Sequence, residues 1–235
     1  MVKVLLLVFG LYFSVVLPAA AQGLEWGLNI APGVSYRTAP QQSADPLATS
    51  IQIGEEAIYV FDFGIDVRKV IAPRIRFGTA ILYSQKGFSN THLAAVYQDP
   101  ALSRRYLLDF VQDYLEIPFF VTYDLKQSER MSIYALGGVV NSLLLRSNNL
   151  ISATSGEISE ETMRRLKKPY LRNQALHNVG AMAGMGVRTD ADAKTMLAVE
   201  LVGKQMFSPL LDQVSSSQRR LSSFNLNFRI IRKMH

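Results

Sequence analysis

The stretch IYVFDFGIDVR, residues 58–68, alternates two kinds of side chain along its length. Tyr59, Phe61, Phe63, Ile65 and Val67 fall on one side, and Asp62, Gly64, Asp66 and Arg68 on the other. Successive side chains of an extended strand point to opposite faces, so this pattern describes a strand with one apolar and one polar face. The apolar face is unusually pure and rich in aromatic rings, while the polar face carries charges at short spacing.

The same period recurs on either side of it. Residues 25–37 set Trp26, Leu28, Ile30, Val34 and Tyr36 against Gly27, Asn29, Ala31, Gly33 and Ser35. Residues 74–86 set Ile75, Phe77, Ile81 and Tyr83 against Arg74, Arg76, Gly78, Ala80, Ser84 and Lys86. Residues 113–125 set Leu115, Ile117, Phe119, Val121 and Tyr123 against Tyr114, Glu116, Thr122 and Asp124. Four further segments follow at 131–145, 178–188, 195–207 and 221–232, with the two faces of the first ambiguous around Gly137 and Gly138. The connections alternate in length: 69–73, 126–130 and 189–194 are short, whereas 38–57, 87–112, 146–177 and 208–220 are long. Short turns at one end, long loops at the other and an even strand count are the pattern of an all-β, eight-stranded antiparallel up-and-down transmembrane β-barrel. Both ends of the domain then lie on the short-turn side.

The remaining composition fits an exported chain. Lys3, the apolar run from Val4 to Leu17 and Ala19-Ala20-Ala21 read as a secretory signal peptide over residues 1–21, cut between Ala21 and Gln22, with the barrel domain at 22–235. The run is shorter than the roughly 20 residues of a spanning helix. There are no cysteines, which excludes a disulfide framework, a thiolate nucleophile and a cysteine metal site. The formal charge of +6 is spread along the chain and gives no focused patch for nucleic acid.

Alternation alone does not say which face looks outward. In a soluble lipocalin-like barrel the apolar face would point inward. An eight-stranded barrel holds little more than a filling of side chains, and the full set of large apolar residues would overpack it. The apolar face is therefore expected to meet lipid. Trp26 and Tyr36 then lie about 25 Å apart in height, the thickness of the apolar band. Tyr59, Tyr83 and Phe207 are expected at the loop-side interface and Tyr123 at the turn side, forming an aromatic girdle with them. Lumen-side charges of both signs follow: Asp62, Asp66, Arg68, Arg74, Arg76, Lys86, Glu116, Asp124, Glu200, Lys204 and Arg229. Arg68 and Arg74 flank the first turn and are expected at its watery mouth. Asp62, Asp66, Arg76, Glu116 and Glu200 are the candidates for an interior ion-pair network that plugs the bore; the alternative is that such charges sit at wet rims.

Little chemistry beyond this is written in the sequence. His92, His177 and His235 show no metal-ligand spacing, and no catalytic residue, metal or cofactor is expected. His177, near the start of a strand, is the one position that could serve a rim enzyme. In the third long loop, Ser159 to Pro169 reads as a short capped helix, and Arg164, Arg165, Lys167 and Lys168 form a basic patch suited to lipopolysaccharide phosphates or simply to solvent.

Two motifs carry a family likeness. Tyr83-Ser84-Gln85-Lys86-Gly87-Phe88, followed by Tyr114-Leu115-Glu116-Ile117-Pro118-Phe119-Phe120, resembles the porin-like outer-membrane β-barrel domain family of Bacteroidota, which includes PorT-like proteins associated with type IX secretion. The resemblance implies a bacterial outer-membrane location, with outer-membrane lipid, lipopolysaccharide and envelope proteins as partners. It implies no activity. The chain departs from many outer-membrane barrels in finishing Arg232-Lys233-Met234-His235 rather than on an aromatic residue. The function expected is that of a narrow or plugged barrel acting through loops or turns; a small-solute channel and a PorT-like secretion component are the alternatives.

Overall fold

The computed structural model describes residues 23–38, 55–93, 105–153, 176–207 and 220–234. They form nine strands: β1 (Leu24–Thr38), β2 (Glu55–Glu56), β3 (Ile58–Ala72), β4 (Ile75–Leu93), β5 (Arg105–Gln127), β6 (Met131–Ala153), β7 (His177–Asp190), β8 (Thr195–Met206) and β9 (Arg220–Lys233). Two-residue β2 pairs only with β4. The other eight each pair antiparallel with the next in the chain, and β9 returns to β1, so the sheet closes and no long edge remains in the wall.

The register fixes the shape of the cylinder. Following paired residues around the wall leads from Leu24 to Lys69, Phe77, Val121, Gly137, Ala183, Gly203 and Phe224, and arrives back on β1 at Val34. The circuit gains ten residues. Ten residues at about 3.3 Å along the strand, against eight spacings of about 4.8 Å across it, tilt the strands by about 40° and give a backbone radius of about 8 Å. A bore of that size is filled by side chains.

Side-chain direction follows the period of two seen in the sequence. On β3 burial alternates through Asp62, Asp66 and Arg68, each about 1% exposed, against Phe63 and Ile65 at 48% and 53%. On β8, Leu197, Val199 and Leu201 face outward while Met196, Ala198, Glu200, Val202 and Lys204 are buried. The ambiguity at Gly137 and Gly138 resolves with Tyr134, Leu136, Val140 and Ser142 inside and Val139 and Leu143 outside. Large apolar residues thus cover the exterior.

Two features of the wall differ from the sequence expectation. The second and third long connections are shorter than 87–112 and 146–177, because β4 runs on to Leu93, β5 begins at Arg105 and β6 continues to Ala153. Leu107, Leu108 and Val111 therefore belong to a strand. The lumen also holds bulky apolar groups, among them Phe88, Phe110, Phe120, Met182 and Met206. Adjacent apolar pairs such as Phe119-Phe120 hide the inward member from an alternation count. Pro32 and Pro118 both sit where a ladder skips: β1–β9 pairing breaks between Ile30 and Gly33, and β4–β5 pairing between Phe119 and Glu116. A residue without an N–H fits only at such a gap.

Candidate functional site: a stacked ion-pair core inside the barrel

Because the register gives a height to every residue, inward-facing charges can be ordered along the bore. Each residue along a strand climbs about 2.5 Å, and each step to the next strand about 3 Å. Twelve of the inward charges fall into three tiers of four, each with two carboxylates and two cations; Arg37 and Asp113, also buried, belong to none of them.

The lowest tier lies at the turn end and joins Glu25, Arg76, Asp124 and Arg188. Arg76 NH1 donates to Asp124 Oδ2 at 2.9 Å and its Nε to Glu25 Oε1 at 3.4 Å. Arg188 pairs with the same Asp124 oxygen and stacks its guanidinium 5.1 Å from the Tyr134 ring centroid. The middle tier, about 7 Å higher, joins Asp66, Arg68, Glu200 and Arg229. Arg68 Nε meets Asp66 Oδ2 at 2.7 Å and its NH2 reaches Glu200 Oε1 at 2.9 Å. Arg229 NH1 lies 3.0 Å from Asp66 Oδ2, and its Nε 2.9 Å from Glu200 Oε2. The Tyr134 hydroxyl donates to Glu200 Oε1 at 2.6 Å and Asn227 donates to Oε2 at 3.3 Å. Both guanidinium groups lie over the Phe120 ring, 5.3 and 5.6 Å from its centroid.

The upper tier, about 11 Å above that, joins Asp62, Lys86, Glu116 and Lys204. Lys204 Nζ donates 2.7 Å bonds to both Asp62 Oδ2 and Glu116 Oε2. Lys86 pairs with Glu116, while Ser84 and Asn225 donate to Asp62 at 2.7 and 3.2 Å and Ser142 to Glu116 at 3.1 Å. Strands β3 and β8 lie three places apart around the wall, so the Lys204–Asp62 and Arg68–Glu200 bonds cross the lumen. Ion pairs survive out of water only when matched and hydrogen-bonded. The tiers are matched in charge and every carboxylate accepts a hydrogen bond, while Asp66 Oδ1, Asp124 Oδ1, Arg68 NH1, Arg188 NH1 and Arg229 Nε are buried without a hydrogen-bond partner of their own.

Apolar groups close the remaining space. Leu136, Val140, Met182 and Val202 pack with Phe120 and Tyr134 in the middle of the bore. Above the upper tier Phe88, Phe110, Tyr114, Met206 and Leu221 form a second cluster, with Phe88 and Phe110 stacked at 5.2 Å and Arg37 4.0 Å over the Phe88 ring. Met196, Ala198 and Ile231 pack together near the turn end.

Glycine makes part of this possible. Phe120 faces Gly78 across the β4–β5 pair, and a Cβ there would lie 2.5 Å from its ring. Gly186 lies between Tyr134 and Glu200, where a Cβ would come within 2.7 Å of Tyr134 and 2.8 Å of Glu200. The close approaches that build the middle tier thus require bare backbone at these two positions.

The structure gathers Asp62, Asp66, Arg76, Glu116 and Glu200 into the lumen, but in three separate tiers rather than one network. Arg68 does not sit at a watery mouth; it is the pivot of the middle tier, because its inward register carries it up the bore. Arg74 is exposed at the turn. Glu25, Tyr134 and Arg188 escaped the sequence reading, although Arg188 shares the parity of Gly184 and Gly186 and could have been placed by it. His177 is exposed at the start of β7. Among the described residues no cluster of three His, Asp or Glu groups could hold a metal. Residues 1–22, with the expected signal peptide, and the basic patch of Arg164, Arg165, Lys167 and Lys168 lie outside the described residues.

On the exterior, the register puts Trp26 and Tyr123 at one height and Tyr36, Tyr59 and Phe207 at another, about 24 Å away. Tyr83 lies about 8 Å inside the upper ring, so it belongs to the apolar band beside Phe63, with ring centroids 5.2 Å apart. Two aromatic levels bounding an apolar exterior around an ion-paired interior are the inverse of a soluble barrel, and their spacing matches the band of a membrane barrel.

No protein-family profile matches the chain, and no curated relative matches it. Among solved structures it is similar to neisserial surface protein A (NspA), at 13% identity over 91% of this chain and 98% of that one, with a TM-score of 0.46. It is similar also to the outer membrane protein OprG from Pseudomonas aeruginosa, at 10% identity over 90% and 96% of the two chains, with a TM-score of 0.47. A third is Ail, the attachment invasion locus protein of Yersinia pestis, at 9% identity over 89% and 99%, with a TM-score of 0.40.

Proposed function

We propose that this chain is an integral protein of a bacterial outer membrane whose barrel is a closed anchor rather than a conduit, and whose work is done by the segments it holds outside the membrane. One observation carries the reading: ion-paired charges fill the bore at three levels and cross it at the upper two, with apolar side chains packed between and above them. A permeant ion would have to part matched charges and displace packed rings. The partners proposed are outer-membrane lipid, lipopolysaccharide and envelope proteins; components of type IX secretion are included because of the family resemblance. The rival reading is a small-solute channel.

Planar-bilayer recording of the refolded full chain separates the two. A closed anchor leaves the bilayer at its baseline conductance in molar salt. Steady, reproducible ion-sized openings would sink the proposal and support the channel. Co-purification from native membranes in mild detergent would then identify the proteins that the loops or turns hold.

A further inference from the structure

The turn end of the barrel carries an uneven charge. Across residues 69–74, 126–131, 190–194 and 232–234 there are seven Lys and Arg side chains against three carboxylates, a net of four positive charges. One of these cations, Lys233, is paired with Asp190 at 2.7 Å. Asp192 turns its Oδ1 inward to the backbone N–H groups of Lys194 and Thr195, both at 2.7 Å.

Two of the cations stand apart because they point at lipid. Arg232 lies directly opposite Trp26 on the β1–β9 pair, so their Cβ atoms are about 5 Å apart. On the other side Trp26 pairs with Val67, and Lys69, two residues further along β3, is its diagonal neighbour at about 7–8 Å. All three belong to the outward parity of their strands, with Leu28, Val67 and Ile230 continuing the apolar face above them. Lys69 and Arg232 are exposed, and neither side chain makes an ion pair or hydrogen bond with another described residue, although Arg232 lies within electrostatic reach of the Asp192 carboxylate. Trp26 is half-buried and stands at the level of the turn-side aromatic ring.

From this geometry we infer that Lys69, Trp26 and Arg232 form a binding site for the phosphate headgroup of an anionic phospholipid in the leaflet on the turn side. Two strand spacings and a two-residue offset separate the Cα atoms of the cations, about 12 Å. Long flexible stems carry both heads toward the indole between them, where one phosphate can be shared. The indole N–H is a further donor, and the ring occupies the headgroup boundary where such amphipathic rings are favoured. The surplus of cations on the same rim selects a lipid with net negative charge over a zwitterionic one that offers the same phosphate. The inference rests on the membrane-spanning reading, and its test tells the two apart.

Trp26 is the sole tryptophan of the chain, so its fluorescence reports on this site alone. The full chain is reconstituted in vesicles where either phosphatidylglycerol or phosphatidylcholine carries brominated acyl chains at equal mole fraction. Brominated phosphatidylglycerol is expected to quench as if enriched several-fold around Trp26, on the scale of about fivefold per cation at low salt. Lys69→Gln with Arg232→Gln is expected to lower the preference several-fold, to what the other rim cations sustain, and molar salt to bring the two lipids to equal quenching. Equal quenching of the unaltered protein at low salt overturns the site and leaves the membrane reading standing. Quenching by neither lipid overturns the membrane reading itself. Retained quenching by brominated phosphatidylcholine shows that the double variant has folded into the bilayer; if that variant prefers phosphatidylglycerol as strongly as the unaltered protein, the assignment to these two residues fails.

Discussion

Glu200→Gln isolates what the middle tier contributes. The Glu200 carboxylate is fully buried and meets Arg68 and Arg229, each at 2.9 Å, together with the Tyr134 hydroxyl at 2.6 Å and Asn227 at 3.3 Å. Glutamine keeps the volume and one accepting oxygen, so no cavity opens. What changes is charge: two guanidinium groups then share Asp66 alone, leaving one uncompensated cation in the bore. Removing one partner of a buried pair costs about 3–5 kcal/mol, most of it the cost of the charge left behind. Unfolding by guanidinium of the chain refolded in micelles, followed through Trp26 fluorescence, measures that loss. Adding Arg229→Gln restores neutrality, and the double-mutant cycle is expected to return at least about 1 kcal/mol of coupling. A loss below about 1 kcal/mol for Glu200→Gln, or strict additivity in the cycle, would refute the tier as a coupled unit.

Two glycines that look alike in the sequence should behave in opposite ways. Gly78→Ala drives a methyl to 2.5 Å from the Phe120 ring and is expected to cost about 1–3 kcal/mol, whereas Gly137→Ala meets nothing nearer than 3.9 Å and is expected to leave the same unfolding midpoint or raise it. At the β7–β8 turn, the backbone N–H bonds from Lys194 and Thr195 hold the Asp192 carboxyl below the ordinary aspartate value of 3.8. A lowered value means that the stabilisation is present above 3.8 and lost as pH falls through the folded value. Amide exchange at Lys194 and Thr195 is therefore expected to quicken below that pH, relative to the intrinsic rate, and Asp192→Asn to blunt the change.

Strand positions and facing were legible because one physical rule, alternation every two residues, governs both. The residues of 58–68 appear on β3 with the faces read from them, and the outward direction followed from how little room an eight-stranded bore offers. The ends of β4, β5 and β6 were not legible. Past the apolar band both strand faces become mixed, and 87–93 and 105–112 lose their alternation even though their backbone remains paired. Interior charges could be assigned to the lumen but not to partners, because partnership depends on the ten-residue stagger of the closed sheet, which is a property of register and turn geometry. That stagger sets Glu200, 132 positions along the chain, within reach of the Arg68 side chain. It also lowers Tyr83 out of the loop-side ring.

The facing of β3 is open to direct measurement, since the chain has no native cysteine to remove. Single nitroxide labels at Tyr59, Phe61, Phe63, Ile65, Val67 and Ile71, all on the exterior, can be read in bilayers by their contact with oxygen and with a water-soluble nickel complex. A strand crossing the membrane at about 40° should show depth rising from Tyr59, reaching its maximum at Phe63 and Ile65, and falling again by Ile71. Nickel access at Phe63 and Ile65 equal to that at Ile71 would contradict the barrel's placement in lipid.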